Sequence, residues 1–310
     1  MILSSSFPAM LSFLAVFVSF LYLCSIPTIS ADFSSSFGSY IITNRTSGTR
    51  EYESMPISVR VGMSALFHSP LVHSQFIQSQ MTTKTREMGE KYNSPSSKPK
   101  IQKFIKQYNI DVTEIEKNVE EYETFNAFFS RKLKPNARKI DMDGQSLVSP
   151  ADSKVVVFEN VTQATEIWIK GRTFTLGKLV GLNKEESLPR EWQQGRAKVA
   201  VFRLAPNDYH RIHAMVDAQV TGTRDIQGQY NTVNPMAVKR PDLDVLGENR
   251  RLVINTRSPK LGQVTYVMVG ALLVGSCKTS QVVNSRGHVR KGEELGWFEF
   301  GKFAHGIVCN

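Results

Sequence analysis

Apolar residues crowd the start of the chain from Met10 to Cys24, including Leu11, Phe13, Leu14, Val16, Phe17, Val18, Phe20 and Leu21. A run of this length suits the apolar centre of a secretory signal better than a bilayer span, which needs about 20 residues. Pro27 then breaks any helix, and Ile29-Ser30-Ala31 offers small residues at a cleavage point before Asp32. No Lys or Arg precedes Arg45, which argues against an Arg-rich mitochondrial presequence. Residues 1–31 are expected to be a signal peptide or membrane anchor, and the Ser-, Thr- and Gly-rich stretch 32–56 a linker.

Beyond it, Ile57, Val59, Val61, Met63, Leu66, Phe67, Leu71, Val72, Phe76 and Ile77 recur at mixed helical spacing, interrupted at Pro70. The pattern predicts one or two amphipathic helices that face either a protein core or a bilayer. A basic run follows, through Lys84, Arg86, Lys91, Lys98, Lys100, Lys103 and Lys106. It reads as a solvated face or as a surface for anionic lipid. Helical patterns continue at Ile101–Tyr108 and Asp111–Tyr122, the second with Asp111 as N-cap and Glu114 at N3. Residues 57–138 are therefore expected to be a helical, membrane-associating region.

After Leu147 the period changes. Val155–Phe158, Thr165–Ile169, Lys198–Leu204, Arg251–Asn255 and Gly262–Val269 are β-branched runs of strand length, punctuated by glycines. The predicted fold class is α+β, with N-terminal amphipathic helices followed by a mainly β, sandwich- or barrel-like catalytic core over 139–301. Residues 302–310 form a divergent tail.

The 310 residues are 41% hydrophobic and 21% charged, enough for a substantial core. The net charge of +10 favours anionic partners, nucleic acid or acidic lipid. No zinc-type spacing and no Gly-rich phosphate loop is present, which removes the commonest metal and nucleotide readings. Of the three cysteines, Cys24 would leave with a signal peptide. That leaves Cys277 and Cys309 as two thiols or, at most, one disulfide. Asn44-Arg45-Thr46 and Asn160-Val161-Thr162 are weak glycosylation sequons.

Two constellations could carry chemistry. Ser149-Pro150-Ala151-Asp152-Ser153 precedes a buried-looking strand, where an Asp is either a turn residue or functional. Tyr209-His210-Arg211-Ile212-His213 places two histidines three residues apart. On a strand they would face opposite sides; in a loop they could converge as a proton-handling pair.

These stretches carry a resemblance. Thr124–Pro135, Ser149–Asp152, Ile169–Leu176, Asn207–His213, Glu248–Arg251, Val269–Ser276 and Lys291–Phe298 resemble, in order, phrases of the phosphatidylserine decarboxylase family. The resemblance covers roughly Ile57 to Gly301. It implies a proenzyme whose C-terminal Ser cleaves the chain and becomes a covalent pyruvoyl cofactor, so no metal is needed. That group takes phosphatidylserine to phosphatidylethanolamine and CO2. By position, the resemblance makes Asp152 and His213 the Asp–His part of the self-cleavage triad and His210 the residue assisting decarboxylation. It implies phosphatidylserine and an anionic membrane surface as partners, leaves no role for nucleic acid, and leaves homo-oligomerisation open. The first segment points to the endomembrane or secretory pathway; the family also has mitochondrial inner-membrane members.

The chain departs from the family after Gly301. Where the family continues Gly-Ser-Thr, this sequence reads Lys302-Phe303-Ala304, with no Ser or Thr through Asn310. The pyruvoyl precursor and one apolar strand are therefore expected to be missing. Alternative readings are an inactive anionic-lipid-binding relative, or a decarboxylase of a soluble amino acid such as tryptophan.

Overall fold

The computed structural model describes residues 40–43, 47–53, 73–144, 146–162, 174–183, 186–233, 235–238 and 242–302. The proposed signal segment, the Asn44 sequon, residues 57–72, the expected strand at 165–169, Cys309 and the tail from Phe303 lie outside the described residues. The chain divides into two units, 1–77 and 78–310.

In the first unit, β1 (Tyr40–Thr43) pairs antiparallel with β2 (Arg50–Glu53), Tyr40 opposite Glu53 and Thr43 opposite Arg50. Within the turn, Thr49 N–H donates to Ser47 Oγ at 3.3 Å.

The second unit opens with helix α1 (Gln75–Asn93), which begins just before the boundary. Part of the basic run sits here in local pairs, Lys84 with Glu87 and Arg86 with Glu90. These exposed pairs contribute little to stability. Helix α2 (Pro99–Tyr108) starts two residues earlier than the apolar pattern suggested, because Pro99 suits the first helical turn. It ends at Asn109, whose φ of 48° lies in the left-handed region.

The second helix expected over Asp111–Tyr122 is not formed. Asp111 Oδ1 instead accepts from Thr113 N–H and Oγ1–H in a turn. Glu116 N–H donates to Lys132 O and Lys134 N–H to Glu114 O, around an isolated Ile115–Leu133 bridge. Val112, Thr113 and Ile115 are β-branched and favour this extended pairing over a helix. The capping box occurs later, at Asn118 and Glu121, on a single 3₁₀ turn (Val119–Glu121).

Helix α3 (Phe125–Phe129) is short and capped by Thr124, whose Oγ1 accepts Ala127 N–H at 3.1 Å. It buries Phe125, Phe128 and Phe129 against Ile101, Ile115 and Tyr122, with Tyr92, Phe104 and Phe300 packed on the same cluster. Hydrophobic burial, not helix length, therefore holds α3 in place.

Two four-stranded sheets follow. One has the order β10-β6-β7-β8 and the other β12-β9-β11-β5. Their strands are β5 (Arg211–His213), β6 (Ala218–Ile226), β7 (Arg251–Ser258), β8 (Gly262–Val269), β9 (Val274–Thr279), β10 (His288–Val289), β11 (Glu294–Glu299) and β12 (Gly301–Lys302). All neighbours are antiparallel except β12 and β9. Both sheets feed one core, with Val220, Ile254 and Met268 from the first meeting Ile212, Cys277 and Leu295 from the second. Helices and antiparallel sheets in one chain make the α+β class. Cys277 is a free thiol buried in this core, which pushes its pKa up to about 12.

A separate two-stranded sheet pairs β3 (Lys154–Phe158) with β4 (Val199–Arg203). Here the expectation of a buried strand after Asp152 is corrected: Val155, Val156 and Val157 are 52%, 40% and 62% exposed, since the two-stranded ribbon leaves both faces largely uncovered.

Candidate active site

The site is built around the end of β11. Asn126, buried on α3, accepts Phe300 N–H through Oδ1 at 2.8 Å and donates from Nδ2 to Phe300 O at 3.0 Å. The side-chain amide thus replaces a neighbouring strand for one residue. Gly301 N–H then donates to Leu273 O at 2.8 Å, starting β12 beside β9. Against this point lies Gly89 of α1: a Cβ added there would stand 2.5 Å from Gly301 Cα. Only glycine permits this approach of two backbones.

The Phe129 ring meets Phe300 edge-on at 4.5 Å and the His210 ring in a tilted contact at 4.0 Å between centroids. His210 is only 5% exposed. Its Nδ1 lies 2.7 Å from Asp208 O. A carbonyl only accepts, so Nδ1 carries the proton and Nε2 is the basic nitrogen. Burial pushes the His210 pKa down to about 3; the Asp208 carbonyl opposes that shift, and the positive charge of Arg131 adds to it. The ring is therefore neutral at pH 7.

His213 sits on β5, and His210 directly precedes that strand. Its Nδ1 is 2.8 Å from Gly292 O, which again fixes the proton on Nδ1. Its Nε2 is 3.1 Å from Tyr209 Oη. Burial raises the Tyr209 pKa, so the phenol stays protonated and donates to His213. β5 is tied down by Arg211, which donates to Ser130 O and pairs with Glu294 at 2.6 Å.

His213 N–H donates to Pro150 O at 2.8 Å, which brings the Asp152 loop alongside β5. The Asp152 carboxylate, however, is held by Arg138, through Nε and Nη2 at 2.8 Å each. Arg138 also reaches Glu114 at 2.9 Å, and these hydrogen bonds and charges raise its pKa. The Asp152–His213 hydrogen bond expected of a triad is not formed in this arrangement. Each side chain is satisfied by a different neighbour.

A half-open cleft of about 220 Å³ adjoins these groups, lined among others by Tyr108, Arg131, Arg138, Asp152, Asp208 and Tyr209. Sequence reasoning missed Asn126, Arg131 and Arg138. The first two lie inside the Thr124–Pro135 stretch that carries the resemblance, and nothing in their spacing signals a polar role. Among the described residues, no group of His, Cys, Asp and Glu could hold a metal ion.

A family model for phosphatidylserine decarboxylase matches residues 125–301, from α3 to the clamped glycine. The chain belongs to the phosphatidylserine decarboxylase family. It is 36% identical to the phosphatidylserine decarboxylase proenzyme of Fusobacterium nucleatum over 213 residues, 69% of this chain and 68% of that protein. It is 41% identical over 264 residues to phosphatidylserine decarboxylase proenzyme 2 of Komagataella phaffii, covering 84% of this chain and 26% of the relative. A similar match, 36% identical over 84% of this chain and 22% of the relative, is found with proenzyme 2 of Saccharomyces cerevisiae. The chain thus spans about a quarter of the length of these yeast relatives.

The burial of His210 has a consequence for stability. The unfolded ring titrates near its ordinary value of 6.5 and the folded ring at about 3. Between those values the unfolded state binds the extra proton, so stability falls as pH falls. The slope from this residue approaches about 1.4 kcal/mol per pH unit. Urea melts of the wild type and His210→Gln between pH 7 and 4 check this. The variant is expected to lose that part of the slope, and parallel curves would contradict the assignment.

Proposed function

We propose that this chain carries the substrate-binding and proton-handling site of a phosphatidylserine decarboxylase, the reaction being phosphatidylserine to phosphatidylethanolamine and CO2. The observation that carries the reading is the pair of histidines, each held with its proton on Nδ1 by a backbone carbonyl, in a chain of this family. Loss of CO2 leaves an electron pair on carbon that must take up a proton. His210 Nε2 carries no proton in this state, so its role is to accept a hydrogen bond from the group that delivers that proton, not to supply it. His213, gripped by Tyr209 and Gly292, and Asp152, gripped by Arg138, are assigned to maturation.

In the family, a pyruvoyl group made from serine supplies the electron sink. The sequence after Gly301 reads Lys302-Phe303-Ala304 where the family continues Gly-Ser-Thr, so these three residues do not fit that group.

Membrane contact is assigned to the helical region. Lys100 has its pKa lowered by partial burial and by the charges of Lys91 and Lys103, so these cations share one neighbourhood that an anionic lipid surface would relieve. Among the described residues no helix is long and apolar enough to cross a membrane. The endomembrane compartment rests on the apolar segment 1–31 alone.

The test is the intact mass of the protein expressed from its own gene, together with decarboxylation of phosphatidylserine vesicles. Two fragments, one with a blocked N-terminus, and CO2 release are expected of a working enzyme. A single uncleaved, inactive chain that still floats with phosphatidylserine vesicles would replace this reading with that of a lipid-binding relative.

A further inference from the structure

One carbonyl sets the state of His213, and the β10–β11 turn, Arg290–Glu293, supplies it. Glu293 N–H donates to Arg290 O at 2.9 Å, and Gly292 has a φ of +82°, as the third position of a type II turn requires. Gly292 N–H donates to Ala214 O and Ala214 N–H to Glu293 O, each at 2.8 Å, which docks the turn beside the end of β5. The Gly292 carbonyl is then the acceptor that keeps the His213 proton on Nδ1. Such a bond fixes a tautomer only while the carbonyl stays in place.

Lys291 precedes that carbonyl at the corner of the turn. Its backbone N–H donates to Asp217 Oδ1 at 2.7 Å. Its side chain crosses to a distant loop, where Nζ lies 2.9 Å from Asp141 O, 2.6 Å from Asp143 O and 3.4 Å from Ser146 Oγ. An ammonium has three N–H donors, and three oxygens face them here. The socket is closed from within: Asp141 Oδ1 accepts Asp143 N–H and its Oδ2 accepts Ser146 Oγ–H, both at 2.9 Å. Ile140 beside it also supports the turn, since a Cβ added to Gly292 would stand 3.0 Å from Ile140 Cγ1. A surface lysine usually keeps its head group in water. Lys291 is partly buried and spends its ammonium on protein oxygens instead, in charge-assisted bonds that cost side-chain freedom.

We propose that Lys291 is a positioning residue for His213: its ammonium, seated on Asp141, Asp143 and Ser146, holds the turn so that the Gly292 carbonyl faces Nδ1 and Nε2 accepts from Tyr209 Oη. This rests, for its functional meaning, on the assignment of His213 to maturation given above. A histidine that takes a proton through Nε2 needs the tautomer in which that nitrogen is bare.

Imidazole nitrogen NMR of the whole chain at about pH 8.5, where an ordinary imidazole is neutral, reads the tautomer of each histidine. His213 is assigned by its loss in His213→Gln. The wild type is expected to show Nδ1–H at both His210 and His213. Lys291→Met keeps the aliphatic stem and loses the ammonium. In it the Nδ1–H to Nε2–H ratio of His213 is expected to fall at least about fivefold, or about 1 kcal/mol, the net worth of one hydrogen bond. His210, held by Asp208 O, is expected to stay as it was. Lys291→Arg, which keeps a cation with several donors, is expected to restore most of the ratio. Asp141→Ala opens the socket at an exposed residue and is expected to act like Lys291→Met, so a folding failure of Lys291→Met leaves the proposal testable. A His213 ratio unchanged in the folded variants would overturn the proposal. So would an equal change at His210, which would mark general loosening of the fold. Neither result touches the decarboxylase reading, which intact mass and CO2 release decide.

Discussion

Phe129→Ala is expected to cost about 3–5 kcal/mol of stability and to return His210 toward an ordinary imidazole. Phe129 is fully buried, and its ring touches both His210 and Phe300. Truncation removes the transfer energy of the ring and opens a cavity between the helical cluster and the end of β11. Water entering that cavity relieves the desolvation that holds the His210 pKa down at about 3. Denaturant midpoints give the first quantity and an imidazole titration followed by NMR gives the second. The two must move together. A stability loss with His210 still neutral down to pH 4 would show that other groups, and not Phe129, keep the ring dry.

Gly89→Ala is the second large effect, and its sign separates two ideas. In an exposed helix interior the change would stabilise by about 1 kcal/mol through helix propensity. Here the new Cβ would lie 2.5 Å from Gly301 Cα and 3.2 Å from Phe300 O. These are backbone atoms, one of them in the segment that Asn126 clamps, and they have no rotamer with which to yield. We expect a loss of about 3 kcal/mol, at the upper end of ordinary overpacking. Gly301 faces the same constraint from the other side, with φ of +109° and its own added Cβ 2.6 Å from Gly89 Cα. A Gly89→Ala protein as stable as the wild type would mean that α1 does not rest against the end of β11.

Much of the architecture was legible in the chain because it depends on local periodicity. The α2 helix, β3, β4, β7 and β8 all carry enough apolar or β-branched residues in sequence to declare themselves. The strands left unassigned are those whose pattern is broken. β6 is interrupted by Gly222 at a bulge, and β11 by Gly296 where its pairing with β5 shifts register. The false helix at Asp111–Tyr122 had correct capping chemistry in the wrong place. The winning interaction was pairing with Lys132–Lys134, which no local rule contains.

The site divides in the same way. Sequence by itself determined the family and nominated Asp152, His210 and His213, because these are matters of residue order. Tertiary structure alone decided that Arg138 holds Asp152, that Tyr209 and Gly292 hold His213, and that Arg131 lies buried with donors unmet. Hydrogen-bond partners and burial depend on which distant segments meet. Here those meetings join residues 126 with 300, 129 with 210 and 89 with 301, far apart in the chain and set by packing into the two cores.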